Sequence, residues 1–208
     1  MDDVCALLTD NPPEKWHHSA HAPGVRVETL PLDKSALVCV RTHIDVEAPP
    51  EKVFKMYRDR NAWKHWYPDV IDIRRVEMIM EDGPDGTEEV VYSSHRVPFL
   101  TNRDACVYSL CRPGLVFDRH HAGSFLLMST SVNHPLCPED KSFVRTQVNM
   151  TCTTFEPREV GGTVHTKISS IVHADPRGLI PPSLVNHFMA KATEISSAMA
   201  AYMKNNCA

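Results

Sequence analysis

The chain has 208 residues, 42% hydrophobic and 23% charged, which is the balance of a folded globular protein and excludes a collagenous, low-complexity or disordered one. Its 22 Lys and Arg against 26 Asp and Glu give a formal net charge of -4 with no basic cluster, which excludes a nucleic-acid footprint. At this length about 70% of the unfolded chain's surface can be buried in a single domain, enough for a core with room for a cavity.

The acidic start Met1-Asp2-Asp3 is the reverse of a basic leader and predicts neither a secretory nor a transit peptide. No apolar run reaches the roughly 20 residues that cross a bilayer. The seven cysteines (Cys5, Cys39, Cys106, Cys111, Cys137, Cys152, Cys207) are scattered and form no Cys-x-x-Cys pair, so they read as reduced thiols in a cytoplasmic protein. The sixteen prolines punctuate turns, no tract is long enough for a linker, and no repeat is visible, so one domain is expected over residues 1–208.

Val4 to Leu8 is a short apolar piece that Asn11-Pro12-Pro13 stops. Val25 to Leu32 reads as a strand, and Ala36, Val38, Val40, Thr42, Ile44 and Val46 alternate with polar residues as a strand with one buried face. After Pro49-Pro50 the spacing of Val53, Phe54, Met56 and Tyr57 predicts a short helix, with proline and Glu51 in its first turn. A turn over Arg60 to Trp66 leads to strands at Val70 to Met80 and Glu88 to Val97, joined at Asp82-Gly83-Pro84-Asp85-Gly86. Further strands are expected at Ala105 to Arg112, Phe125 to Val132, Phe143 to Phe155 and Thr163 to Ala174.

In the third of these Val144, Thr146, Val148, Met150 and Cys152 share a face by period two, and in the fourth Val164, Thr166, Ile168, Ser170 and Val172 do. Both faces mix small hydroxyl residues with apolar ones, so the sheet is expected to face something other than protein alone. The chain ends in a long amphipathic helix over Pro182 to Lys204, with Leu184, Phe188, Ala192, Ile195, Met199 and Tyr202 in one stripe that Val185, Met189 and Met203 widen. The fold class is α+β: one antiparallel sheet, an early short helix, and a last helix covering a sheet face.

Catalytic constellations are missing from the pattern. The clusters His17-His18-x-x-His21 and His120-His121 fall in predicted loops without a Cys or carboxylate at ligand spacing, so no metal and no cofactor is expected. There is no Gly-x-Ser-x-Gly elbow, and the eight glycines form no phosphate loop.

Four segments are specific in order and spacing: Arg60-Asn61-Ala62-Trp63, Asn102-Arg103-Asp104, Phe143-Val144-Arg145, and Asp175-Pro176-Arg177-Gly178-Leu179-Ile180-Pro181 running into Leu184-Val185-Asn186. Together with Ser131-Val132-x-His134-Pro135, this order over roughly residues 16 to 205 resembles the START family, the steroidogenic-acute-regulatory-protein-related lipid-transfer domains. The amino-terminal helix looks shorter here than in the family. The resemblance implies a helix-grip fold, a curved antiparallel sheet around the long C-terminal helix enclosing a tunnel for one lipid. It implies a tunnel lined by Phe54, Arg60, Trp63, Arg103, Val148, Met150 and Ile168, and by Leu184, Val185, Phe188 and Met189 of the last helix. Arg60 matches an arginine that phospholipid- and ceramide-binding relatives use. Arg103 and Asp104 either form an internal pair, with Asp104 fixing the turn, or Arg103 reaches the ligand. Leu179, Ile180 and Pro181 either touch the bilayer or pack the helix start.

The head-group signatures of the family do not transfer. Ser93, Ala105 and Asn149 stand where choline-caging relatives have aromatic rings, Lys64, Ser93 and Ser129 where ceramide binders have an acid and amides, and Ser109 where sterol binders have arginine. A phospholipid or acyl ligand held by Arg60 is therefore preferred over sterol, carried by a monomer in transient contact with membrane surfaces. Two alternatives stand beside the carrier. One is a cyclase-like enzyme on the same fold, whose mark would be an acid and a histidine, His95 or His165, both facing the tunnel. The other is a lipid-sensing module acting through a protein partner.

Overall fold

The computed structural model describes residues 16–31, 38–83, 86–116, 119–178 and 182–207, with side chains of the last helix from residue 191 onward. In chain order the elements are β1 (His17–Ala22), β2 (Val25–Pro31), β3 (Val38–Val46), α1 (Pro50–Arg58), a 3-10 turn (Ala62–His65), β4 (Val70–Gly83), β5 (Gly86–His95), β6 (Arg103–Val116), β7 (Arg119–Ser131), β8 (Val144–Arg145), β9 (Gln147–Val160), β10 (Thr163–Asp175) and α2 (Pro182–Cys207). The strands form one sheet in the order β1-β2-β3-β10-β9-β7-β6-β5-β4, antiparallel throughout this path. Short β8 departs from the expected single strand over 143–155: it pairs parallel with the start of β6.

The period-two segments become strands because one face of each is buried and the other is not. On the inner face Val25 and Val27, Ile44 and Val46, Phe155 and Ile168 pack with Val53 and Phe54 of α1 and with Met199, Met203 and Cys207 of α2. The steps of four in that helical trio are the stripe expected of a helix lying on a sheet. Phe54 stacks on Phe125 at 4.3 Å and meets Phe155 edge-on at 5.3 Å, so large rings fill the space between α1 and the sheet centre. Gly86 opens β5 at φ +106, where an added Cβ would lie 1.9 Å from the Cys111 carbonyl oxygen, so only glycine fits.

Three expectations change. His17, His18 and His21 lie in β1, and His120 and His121 in β7, not in loops; no group of three metal-ligating side chains exists among the described residues. Asp104 does not pair with Arg103. It is buried and accepts both arms of Arg145 at 2.9 Å, while Arg145 also donates to the Pro138 carbonyl at 3.1 Å. The shared face proposed for Val144 to Cys152 breaks at Asn149: His173 pairs with Met150, but Ala174 with Val148. The bulge is pinned by the Val148 N–H donating to Ser131 Oγ at 2.8 Å and the Thr130 hydroxyl to the Asn149 carbonyl at 3.1 Å. One extra residue turns everything beyond it to the opposite face. Among the described residues no helix is long and apolar enough to cross a membrane.

Removing one partner of a buried ion pair leaves the other uncompensated. Asp104→Ala should therefore lower the unfolding free energy by about 3–5 kcal/mol in urea titration; a loss below about 1 kcal/mol would show that the pair does not hold the β6–β8 junction.

Candidate functional site: a cavity on the inner face of the sheet

Beyond the aromatic fill, the inner face of the sheet lines a half-open cavity of about 470 Å³. Its floor follows from strand register. Glu89 pairs with Ser109, Ser109 with Ser129, Ser129 with Thr151, and Thr151 with Val172, so one row runs across β5, β6, β7, β9 and β10. The adjoining row on the core side runs Thr87, Cys111, Leu127, Thr153 and Ser170. All ten of these residues line the cavity. Ser129 donates to Ser109 at 3.3 Å, and the Thr153 and Ser170 hydroxyls are 2.9 Å apart. On the far side of Glu89 the floor turns apolar, with Val91, Val107, Ala105 and Val148. Small side chains on a concave face leave the volume, and hydroxyls that bond one another keep part of it polar.

Glu89 is the one carboxylate among the described lining residues. It is buried, yet both oxygens are taken: Arg60 Nη2 donates to Oε1 at 2.5 Å and Arg75 Nε to Oε2 at 2.7 Å. Burial alone would raise its pKa, but the hydrogen bonds from Arg75 and Arg60 and their charges outweigh it and hold the carboxyl below its usual value. Arg60 sits in the turn after α1 and Arg75 on the edge strand β4, so the carboxylate ties both to the sheet.

The expected site residues divide. Arg60, Trp63 and Val148 line the cavity, with Trp63 Nε1 donating to the Tyr57 carbonyl at 2.8 Å. Phe54 and Ile168 lie on the same side but belong to the packed core under α2, not to the lining. Met150, turned by the bulge, packs against Trp16, Leu30, Cys39 and Ile171 on the opposite face. Arg103 is buried and spends its guanidinium on backbone carbonyls: Nε to Pro176 at 3.2 Å, Nη2 to Arg177 at 2.9 Å, and Nη1 to Thr101. Leu184, Val185, Phe188 and Met189 are on α2, but their side chains lie outside the described residues, as do Leu179, Ile180 and Pro181 altogether.

Glu89 and Arg75 were not singled out from sequence, although the alternation Thr87, Glu89, Val91, Ser93, His95 sets an acid mid-strand on an otherwise mixed inner face. His95 also lines the cavity, stacked on Tyr67 at 5.0 Å with Nε2 3.1 Å from Ser93 Oγ and Nδ1 unpartnered; burial pushes its pKa down to about 4. An acid and a histidine thus both face the cavity, but they are six residues apart on one strand, about 20 Å at ~3.3 Å per residue, too far for a proton to pass between them. His165 does not line it; it bonds Asp45 at 2.5 Å.

The START-domain family model matches residues 13–208. The chain belongs to the START-domain family. Among solved structures, the crystal structure of human STARD10 is 20% identical with a TM-score of 0.77, covering 97% of this chain and 77% of that one. Human StAR-related lipid transfer protein 5 is 21% identical with a TM-score of 0.74, covering 100% and 94%. The human StarD13 lipid transfer and protein localization domain is 20% identical with a TM-score of 0.67, covering 93% and 89%. No curated protein sequence matches significantly. These likenesses establish the START fold, a curved open sheet with a C-terminal helix, and family membership supports lipid binding in general.

His95 and, on the opposite face, His43 are each partly buried with a pKa pushed down to about 4, desolvation being the largest cause in both. A depressed histidine pKa means that the unfolded chain binds the proton first. Their contribution is complete above pH 6.5 and is lost progressively as the pH falls to about 4. The thermal midpoint should fall across that window, and His95→Phe should flatten its share of the slope; an unchanged profile would contradict a neutral, desolvated His95.

Proposed function

We propose that this chain is a cytoplasmic lipid carrier that holds one anionic-headed lipid in the cavity and transfers or presents it between membranes, working as a monomer in brief contact with their surfaces. The observation that carries the reading is Arg60, with Arg58 and His95, lining a cavity whose other walls are mainly apolar and hydroxyl side chains, beside a carboxylate that Arg75 also neutralises. Two guanidinium groups against one carboxylate leave a unit of positive charge for a carboxylate or phosphate head. When the head takes Arg60, Arg75 keeps Glu89 paired, so ligand binding leaves no bare buried charge.

A carrier is needed because each methylene leaving a membrane for water costs about 0.8 kcal/mol. The formal charge of -4, without a basic cluster, fits brief contact with anionic membranes. A carrier is preferred over a cyclase-like enzyme because the acid and histidine on β5 are too far apart to act together, and no feature of the chain specifies a sensing partner.

Binding of a C16 fatty acid and of cholesterol, read by displacement of a fluorescent fatty acid, tests the ligand class. Arg60→Leu should weaken fatty-acid binding by about 1.5–3 kcal/mol, the worth of a hydrogen bond to a charged group. Thermal unfolding of the same samples separates lost contact from lost fold. Unchanged affinity in a folded variant, or tighter binding of cholesterol than of the fatty acid, would overturn this assignment.

A further inference from the structure

A cavity that received only hydrocarbon would have no use for hydrogen-bond donors, yet ten of the 23 described lining residues carry a hydroxyl. Every hydroxyl pressed against an acyl chain forfeits its bonds to water. Nor are these hydroxyls scattered. In the row that starts at Glu89, Ser109, Ser129 and Thr151 follow one another on β6, β7 and β9, a run of about 14 Å at ~4.8 Å per strand. Thr153 and Ser170 continue the pattern in the next row on β9 and β10, and the Tyr57 hydroxyl bonds Thr153 from α1. A cation stands where the first row begins, because Arg60 Nη2 lies on Glu89 Oε1.

Bonding among themselves does not exhaust these groups. Ser129 donates to Ser109 at 3.3 Å, and the Thr153 and Ser170 hydroxyls are 2.9 Å apart. Two hydroxyls hold two protons and four lone pairs between them, and the bond that joins them uses one of each. Each pair keeps a donor and three acceptor sites. Thr151, beside Ser129 in the same row, has no side-chain partner among the described residues. Such a set is matched by a ligand that both donates and accepts at several points. A bare carboxylate only accepts, an ammonium only donates, and a quaternary ammonium does neither; an alcohol with several hydroxyls does both.

We propose that the anionic head held at Arg60 is the phosphate ester of a polyol, its phosphate on the guanidinium and its hydroxyls bonded to Ser109, Ser129 and Thr151. The inference rests on the lipid-carrier reading of the same cavity and adds to it the chemical class of the head group. The charge-assisted bond from Arg60 holds the phosphate, and the hydroxyl row selects among phosphate esters by what they carry. Val91, Val107 and Val148, on the far side of Glu89, receive the acyl part.

Calorimetric titration of the full chain with two short-chain phospholipids of equal charge tests this: dioctanoyl phosphatidylinositol, whose head is a ring of free hydroxyls, and dioctanoyl phosphatidylmethanol, which has none. The wild-type chain should bind the inositol lipid about tenfold more tightly, the worth of one or two hydrogen bonds. In Ser129→Ala/Thr151→Val that ratio should fall below about twofold, and Ser109→Ala should move it the same way if the double variant does not fold. Each ratio is read on one preparation, so an unfolded fraction lowers the stoichiometry and leaves the ratio intact. Equal affinities in the wild-type chain, or an unchanged ratio in the folded variants, overturns the polyol head and leaves the carrier reading standing. Binding of neither lipid overturns both. Inositol monophosphate alone separates lipid from free ligand. It should bind at least about a hundredfold more weakly than the lipid, since it buries no acyl chain; equal binding keeps the head-group chemistry and overturns the carrier reading.

Discussion

A carboxylate buried in the cavity wall is the constraint on which the rest of this structure depends. Glu89 cannot be ionised there unless its oxygens are hydrogen-bonded to cations, because an isolated buried charge costs far more than the net stability of a domain of this size. Two arginines meet that requirement from opposite sides, Arg60 from the turn after α1 and Arg75 from the sheet edge. The pair therefore does structural work, fixing the α1 turn and strand β4 on the sheet. It also leaves a guanidinium on the cavity wall, where, in the proposed function, an anionic head group exchanges with Glu89 at little net cost in buried charge.

The cavity follows from an uneven distribution of side-chain volume on one sheet face. Where α1 and α2 lie on the sheet, Phe54, Phe125, Phe155, Ile168, Met199 and Met203 fill the space. Next to them the same strands carry Ser109, Ser129, Thr151, Thr153 and Ser170, which are too small to fill it. Serine and threonine hydroxyls satisfy one another across neighbouring strands and remain available to a ligand, so the floor is stable empty and still receptive. The cavity thus has a charged and hydroxyl-bearing part around Arg60 and Glu89 and an apolar part around Val91, Ala105, Val107 and Val148.

Much of this was legible in the sequence, for reasons that can be named. Period-two alternation marks Val38–Val46 and Thr163–Asp175 because each buries one face, and the steps of three and four along the last helix mark its contact stripe. The mixed face of Thr163 to Ala174 signals a sheet that faces something other than protein alone, and Ser170 and Val172 of that face line the cavity. Strand alternation could not reveal the bulge at Asn149, since a single inserted residue leaves the pattern of residue types intact while reversing the direction of Met150 and Cys152. The roles of the two central arginines were hidden for a different reason. Arg103 meets carbonyls 73 and 74 residues away, and Arg60 meets Glu89 across 29 residues, so neither partnership leaves a local signature. Family resemblance placed Arg60 on the cavity and also placed Arg103 there, but only the fold distinguishes a residue that lines a wall from one whose guanidinium is taken up by backbone carbonyls.

The central proposal is that the cavity holds one anionic-headed phospholipid or acyl lipid. Mass spectrometry of the protein under native conditions, followed by organic extraction of the same sample, tests it most directly. The account predicts a one-to-one complex whose extract contains a phospholipid or fatty acid with a phosphate or carboxylate head, and whose occupancy falls in Arg60→Leu. A sterol as the bound species, or a protein that carries no lipid after exposure to membranes, would contradict it.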